Sequence, residues 1–289
     1  TAMQAIRSIL VVMEPGHPEN LALNRARLLA GVTQSHLHLL VCDKKNDHAA
    51  FLEGAAAGLR QEGFNVTTQQ AWFDSVHQTI ITVQQEEGCG LVVKQHFPDN
   101  PLKKALITPD DWKLLRYSPS PVLMVKTDRP WTGGIILAAV DVGNKDGEHR
   151  TLHAGIVSNG SEIARLAKGA LHVLSAHPSP MLSAADPTFQ VAESIRASYL
   201  AKCRDFQREC DIPDECLHVE EGPADVLIPH MAHKLGAVVT IIGTVARTGI
   251  SGALLGNTAE VVLDSLESDV LVVKPDDILD RLEEVVAQR

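Results

Sequence analysis

The sequence predicts an α/β protein of two tandem, doubly wound domains, each built on a five-stranded parallel sheet. Three observations predict it. Short apolar runs alternate with longer helix-like stretches along the whole chain, the βαβα rhythm of sheets covered by helices on both faces. Those runs are apolar on successive residues rather than alternate ones, as strands buried on both sides must be. The rhythm also occurs twice. PVLMVK at 121–126 returns as DVLVVK at 269–274, and GCGLVVKQHF at 88–97 lies against GAVVTIIGTV at 236–245, both at a spacing of 148. Earlier runs match at shorter spacings: SILVVME at 8–14 with IILAAVD at 135–141 (127), and HLHLLVC at 36–42 with ALHVLSA at 170–176 (134). This growth in spacing places insertions in the loops of the second copy, where added length costs little.

The elements follow in order. The first strand is 9–13 in copy one and 135–140 in copy two. A helix comes next, carried by Leu21, Ala22, Ala26, Leu29 and Ala30, or by Ile163, Ala164 and Ala167. The second strand is 37–41 or 171–175, and the second helix 49–62 or 191–209. The third strand is 66–71 or 217–219, the third helix 76–87 or 223–235, and the fourth strand 91–94 or 238–242. A last helix precedes strand five, 122–125 or 270–273. Between the copies, TDRPWTGG at 127–134 has the Pro and Gly content of a linker, which sets the domains at 1–128 and 133–289. In the tail, Ile278, Leu282 and Val285 stand at helical spacing and predict a short docked helix.

Composition narrows the function classes. The chain has 289 residues, 45% hydrophobic and 21% charged, enough apolar content for two ordinary cores. Its net charge of −10 disfavours non-specific binding to nucleic acid, and Lys44-Lys45 and Lys103-Lys104 are isolated pairs read as solvated surface. Five cysteines with no CxxC pair argue against a disulfide framework or a zinc knuckle. Cys42 and Cys89 read as core thiols, and Cys203 and Cys210 as one face of a helix. No apolar run reaches the roughly 20 residues of a membrane span, and no signal-peptide pattern opens the chain, so the expectation is a cytoplasmic protein.

In open parallel sheets, ligands bind beyond the carboxyl ends of the strands where the strand order reverses. In copy two, that place brings Ala139, Val140 and Asp141, at the end of strand one, towards the segment after strand four, GTVARTGISGALLGNT at 243–258. Gly243 and Gly256 allow backbone angles closed to other residues. Asn257 or Thr258 can cap the next helix. Free amides at that helix start favour an anion, and Arg247 can add a charged fork to phosphate oxygens. On local pattern alone two readings stand: a tight turn with a helix cap, or an anion cradle. The segment is neither a Walker loop nor GxGxxG.

With its spacing of Gly243, two residues, Ala246, nine residues, Gly256 and Asn257, the chain resembles the universal stress protein family. Nucleotide-binding members carry glycine at the second position of that pattern and serine or threonine at the last. Asp141 matches the family's adenosine-contacting aspartate. The resemblance covers nearly the whole chain, twice. GNTAE at 256–260 and NPLKKALITPDDWKLL at 100–115 read like the tandem, E-type members of Gram-negative bacteria. It implies a Rossmann-like fold of the adenine nucleotide alpha hydrolase kind and a stress-response protein that binds ATP or AMP, with Mg accompanying ATP. Ala139, Val140 and Asp141 would sit by base and ribose. Ile242 and Gly243 would flank ribose and phosphates; Val245, Ala246, Gly256, Asn257 and Thr258 would line the triphosphate. Two copies in one chain imply an intrachain pairing like that of a family dimer, and a homodimer is a further expectation.

The departures are specific. Ala246 adds a methyl group where a phosphate-facing backbone wants none, and Asn257 replaces a hydroxyl. Copy one departs further: Gln95, Pro98, Thr108 and Pro109 stand for Gly243, Ala246, Gly256 and Asn257, and Glu14 for Asp141. Two prolines lack the amides a phosphate would use, so copy one is expected not to hold ATP. Alternatives are a scaffold with both sites lapsed, binding an apolar ligand or a protein, and a slow ATPase. Hydrolysis lacks a residue placed as general base. His230 and His233 stand three apart on a helix, without a third metal ligand in sequence. Like His17, His36 and His38 they read as surface or edge residues. Ser251 lies outside any G-x-S-x-G elbow.

Overall fold

A computed structural model describes residues 6–96, 107–140, 147–177, 189–243 and 257–274. The first half contains β1 (Ser8–Val12), α1 (Leu21–Thr33), β2 (His36–Cys42), α2 (Ala49–Gln61), β3 (Val66–Ala71), α3 (Val76–Glu87), β4 (Leu91–Gln95), α4 (Pro109–Tyr117) and β5 (Val122–Val125). The second contains β6 (Ile135–Val140), α5 (Gly147–Ala167), β7 (Ala170–His177), α6 (Phe189–Cys210), β8 (Leu217–Glu221), α7 (Ala224–Leu235), β9 (Ala237–Gly243), α8 (Asn257–Ser265) and β10 (Asp269–Val273). A 3₁₀ turn, Asp214–Cys216, leads into β8. The predicted helix at 276–289 lies outside the described residues.

The ten strands form one sheet in the order β3-β2-β1-β4-β5-β10-β9-β6-β7-β8. Within each half every neighbouring pair is parallel, as predicted. The halves meet through one antiparallel pair, β5 with β10, in which Leu271 faces Leu123, Val270 faces Met124 and Val272 faces Val122. Leu123 and Leu271 are 148 apart, so the joint is centred on the same position of both copies. Gly88 and Gly236, also 148 apart, end α3 and α7 in the same left-handed conformation, each at φ 63°.

Helices cover both faces. One face carries a continuous core that runs from Ile9, Val11 and Leu39 with Ala26 and Leu29 of α1 and Leu52 and Leu59 of α2 in the first half to Ile156 of α5 and Cys203 of α6 in the second. Leu10, Val12 and Leu40 face the other way, into a second core shared with Ile80 of α3 and Leu114 of α4, which continues in the second half with Met231 of α7 and Leu263 of α8. Neighbouring residues of one strand thus enter opposite cores, which is why the runs read as continuously apolar.

Two expectations change on folding. The segment 127–134 is no loose linker: Trp131 is 1% exposed. Its Nε1 donates to Asp269 Oδ2 at 2.9 Å, and the Arg25 guanidinium lies 4.9 Å over its ring. Asp269 also accepts from Arg25 Nε at 2.8 Å and from the amides of Lys126 (2.8 Å) and Thr127 (3.2 Å), so one buried carboxylate ties α1, the connection and β10 together. Burial pushes its pKa up, and Arg25 and these donors act against that. The second change is His38, which is 3% exposed rather than on the surface. Its ring bridges Thr67 Oγ1 (2.5 Å) and Gln69 Oε1 (2.9 Å) of the adjacent β3, a neighbour set by strand pairing.

Candidate functional site

The strand order of the second half reverses between β6 and β9, which lie side by side with Ala138 paired to Ile241. Ala139 and Val140 follow on one strand, and Ile242 and Gly243 on the other. Val140 and Ile242 are buried; Ala139 and Gly243 are half-buried. Beyond Gly243 the chain returns as α8, whose first residues are Asn257 and Thr258. Because β9 and β10 are parallel, the intervening helix runs back against them and its first turn stands at their carboxyl ends. The structure therefore brings Ala139, Val140, Ile242 and Gly243 together at the crossover and starts α8 at the same end of the sheet. Asp141, Val245, Ala246, Arg247 and Gly256 lie outside the described residues.

The same place in the first half is charged. There β1 and β4 are neighbours, with Val11 paired to Val93, and β4 ends in Lys94 and Gln95. Lys94 Nζ lies 2.8 Å from Asp111 Oδ1, with side chains 9% and 3% exposed. Asp111 sits in the first turn of α4, where Thr108 caps the helix by accepting from the Asp111 amide at 3.2 Å. His96 Nδ1 stands 3.7 Å from the second Asp111 oxygen. The Gln95 side chain turns back and accepts from the Leu21 amide at the start of α1, at 3.0 Å. Burial favours neutral forms for Lys94 and Asp111, but their mutual attraction prevails. The lysine is raised by Asp111, Glu14 and Asp110, and the aspartate is lowered by His96 and Lys94. Glu14, which stands for Asp141, has its carboxyl raised by burial, with Lys94 and His17 opposing.

Positions 94, 95 and 111 correspond to Ile242, Gly243 and Ala259 at the spacing of 148. A helix start carries unpaired amides and the positive end of the helix dipole, and an anion satisfies both. In the first half Thr108 caps the amides, Asp111 places a carboxylate of the chain's own in that first turn, and Lys94 neutralises it. Sequence reasoning missed this pair, although Lys94 lies inside the repeated GCGLVVKQHF run.

The other histidines flagged in sequence, His230 and His233, are exposed on α7, and His17 is exposed after β1. Among the described residues no group of three or more His, Cys, Asp or Glu side chains is placed to hold a metal ion. All five cysteines are free; Cys42, at the end of β2, has its thiol pushed up to about 12, mainly by burial. Among the described residues no helix is long and apolar enough to cross a membrane.

The profile of the Universal stress protein family matches residues 134–274. Universal stress protein E of Escherichia coli K12 is 32% identical over 95% of this chain and 96% of its own. A crystal structure of a functionally unknown protein from Pseudomonas aeruginosa PAO1 is 68% identical, covers 99% of both chains and superposes with a TM-score of 0.92. A universal stress protein from Archaeoglobus fulgidus superposes over 93% of this chain and 97% of its own with a TM-score of 0.66 at 15% identity, a likeness of fold.

Proposed function

The chain belongs to the universal stress protein family, and from that premise we propose that it is a cytoplasmic stress-response protein whose second half binds an adenine nucleotide, ATP or AMP, without turning it over. One observation carries the reading. Two strands end side by side, one in a half-buried glycine, at the end of the sheet where a helix begins. That helix start offers amides and a positive dipole end to phosphate. Gly243 has no side chain to obstruct the approach of a ligand to the backbone.

In this reading, Ala139, Val140 and Asp141 line base and ribose. Val245, Ala246, Gly256, Asn257 and Thr258 line the phosphates, with Arg247 as a charged fork and Mg accompanying ATP. The domains are 1–128 and 133–289. The first domain pairs with the second as an intrachain counterpart of a family dimer, a reading supported by the joint centred on Leu123 and Leu271. The buried Lys94–Asp111 pair and Pro109 support a first domain that takes no nucleotide.

Isothermal titration with ATP and with AMP tests this. Heat with a stoichiometry of one is expected, and Gly243→Val abolishes it by placing a branched side chain at the strand end. No heat at millimolar nucleotide, with the variant indistinguishable, overturns the reading. It would leave the scaffold reading, which Ala246 and Asn257 favour.

A further inference from the structure

The halves trade lysines. Lys126 follows β5 and Lys274 follows β10, at the same place in the repeat. Lys126 Nζ donates to the carbonyls of Leu263 (2.8 Å) and Leu266, at the C-terminal end of α8. Lys274 Nζ donates to the carbonyls of Arg116 (3.2 Å) and Ser118, at the end of α4. Each lysine crosses the joint and caps the last helix of the other half. Terminal carbonyls have no partner within the helix and carry the negative end of its dipole, so a buried ammonium answers both.

The two capped helices differ at their far ends. α4 begins with its own carboxylates, Asp110 and Asp111, the latter tied to Lys94. α8 begins with Asn257 and Thr258. Nine residues of helix are a rod about 13 Å long, so what holds one end limits where the other end can go. Lys126 is itself held: its amide donates to Asp269 Oδ1 at 2.8 Å.

We infer that Lys126 is a positioning residue for the nucleotide, through which the first half holds α8 and sets the phosphate affinity of the second. This rests on the nucleotide reading given above. Three carboxylates face the ammonium: Asp264 of α8, Glu267 in the turn after it and Asp269 of β10. Burial outweighs them and lowers the lysine to about 8, so it is charged at pH 7 and neutral well above pH 8. A neutral amine still donates hydrogen bonds, but without the charge that strengthens them against a helix end.

Two measurements on the intact chain test this. The first is hydrogen exchange across residues 257–265 without nucleotide. Lys126→Met is expected to speed exchange about fivefold or more, and Lys126→Arg to restore it. Lys274→Met should instead loosen 109–117. Equal exchange across 257–265 in wild type and Lys126→Met overturns the inference. The second is ATP affinity, which should weaken about fivefold in Lys126→Met. It should weaken comparably in wild type between pH 7 and pH 9.5, and stay level over that range in Lys126→Arg. ATP bound with unchanged affinity in Lys126→Met, at any pH, overturns this inference and leaves the nucleotide reading intact. No ATP binding to wild type overturns both. The wild-type pH profile needs no substitution, so misfolding of one variant leaves the test decisive.

Discussion

At the end of β4 the first half places a lysine and a glutamine, with a histidine just after. At the end of β9 the second half places an isoleucine and a glycine. The surrounding scaffold is the same: parallel neighbours, helices on both faces, and a left-handed glycine closing the preceding helix. The difference lies in how the last helix start is satisfied. In α4 the anion is a side chain of the helix, buried and paired. In α8 the equivalent position is Ala259, with no charge to offer, and in our reading the anion comes from solution. A helix start at a strand crossover can be made self-sufficient or left receptive by exchanging two residues.

The largest expected effect comes from breaking the built-in pair. Asp111→Ala leaves Lys94 buried beside a vacated partner, and should cost about 3–5 kcal/mol in a urea titration. A loss under about 1 kcal/mol would mean the pair is not what satisfies this end of the sheet. The sharper form gives the first half the residues of the second: Lys94→Ile with Asp111→Ala removes both charges and should recover most of that loss. If the double variant is as unstable as the single one, the halves differ by more than this exchange.

The lysine caps distinguish the halves next. Burial lowers Lys274 to about 7, while an unfolded lysine titrates near 10.4. Between those values the unfolded chain holds a proton that the folded chain has released, so stability contributed by this group rises with pH. From pH 7 to pH 9 wild type should gain about 2 kcal/mol more than Lys274→Met, read from urea midpoints at the two pH values. Lys126, lowered to about 8, should add its own rise to both proteins, most of it above pH 8, and so drops out of the difference. A wild type no steeper than Lys274→Met would sink the assignment.

The smallest effect tests sameness. Gly88 and Gly236 share a φ of 63°, a region that costs an alanine about 1 kcal/mol. Gly88→Ala and Gly236→Ala should each lower stability by about that amount in thermal melts. A large inequality would mean that the two glycines, for all their shared φ, do not sit in equivalent surroundings.

Much of the fold was legible because the repeat is regular. The spacing of 148 found in PVLMVK and DVLVVK makes Leu123 equivalent to Leu271, Gly88 to Gly236 and Lys126 to Lys274; that the two leucines face each other across an antiparallel joint is visible only in the structure. The strands were legible because burial on both faces leaves unbroken apolar runs. The sequence shows α5 only from Ile163 to Ala167, yet the helix spans Gly147–Ala167, because its first turns, GEHRTLH, are largely polar and hide their period. Trp131 was hidden by its Pro and Gly neighbours, which signal a turn and say nothing about what packs beneath it. The Lys94–Asp111 pair was invisible for another reason. Its partners sit on a strand end and a helix start seventeen positions apart, and only the crossover brings them together. For the nucleotide site, spacing and resemblance named eleven residues. The strand ends Ala139, Val140, Ile242 and Gly243 and the helix start Asn257 and Thr258 fall where the crossover was expected, while the remaining five lie outside the described residues.

The antiparallel meeting of β5 and β10 has a consequence for inheritance. Separate polypeptides sharing that edge would assort at random, and a lapsed copy would sometimes meet another lapsed copy. Fusion sets the local concentration of the complementary edge permanently high, so a first half that, in our reading, takes no nucleotide is always born beside a second half of the other kind. One copy can then drift towards pure support while selection maintains the other, because no assembly built only of the supporting kind is ever made.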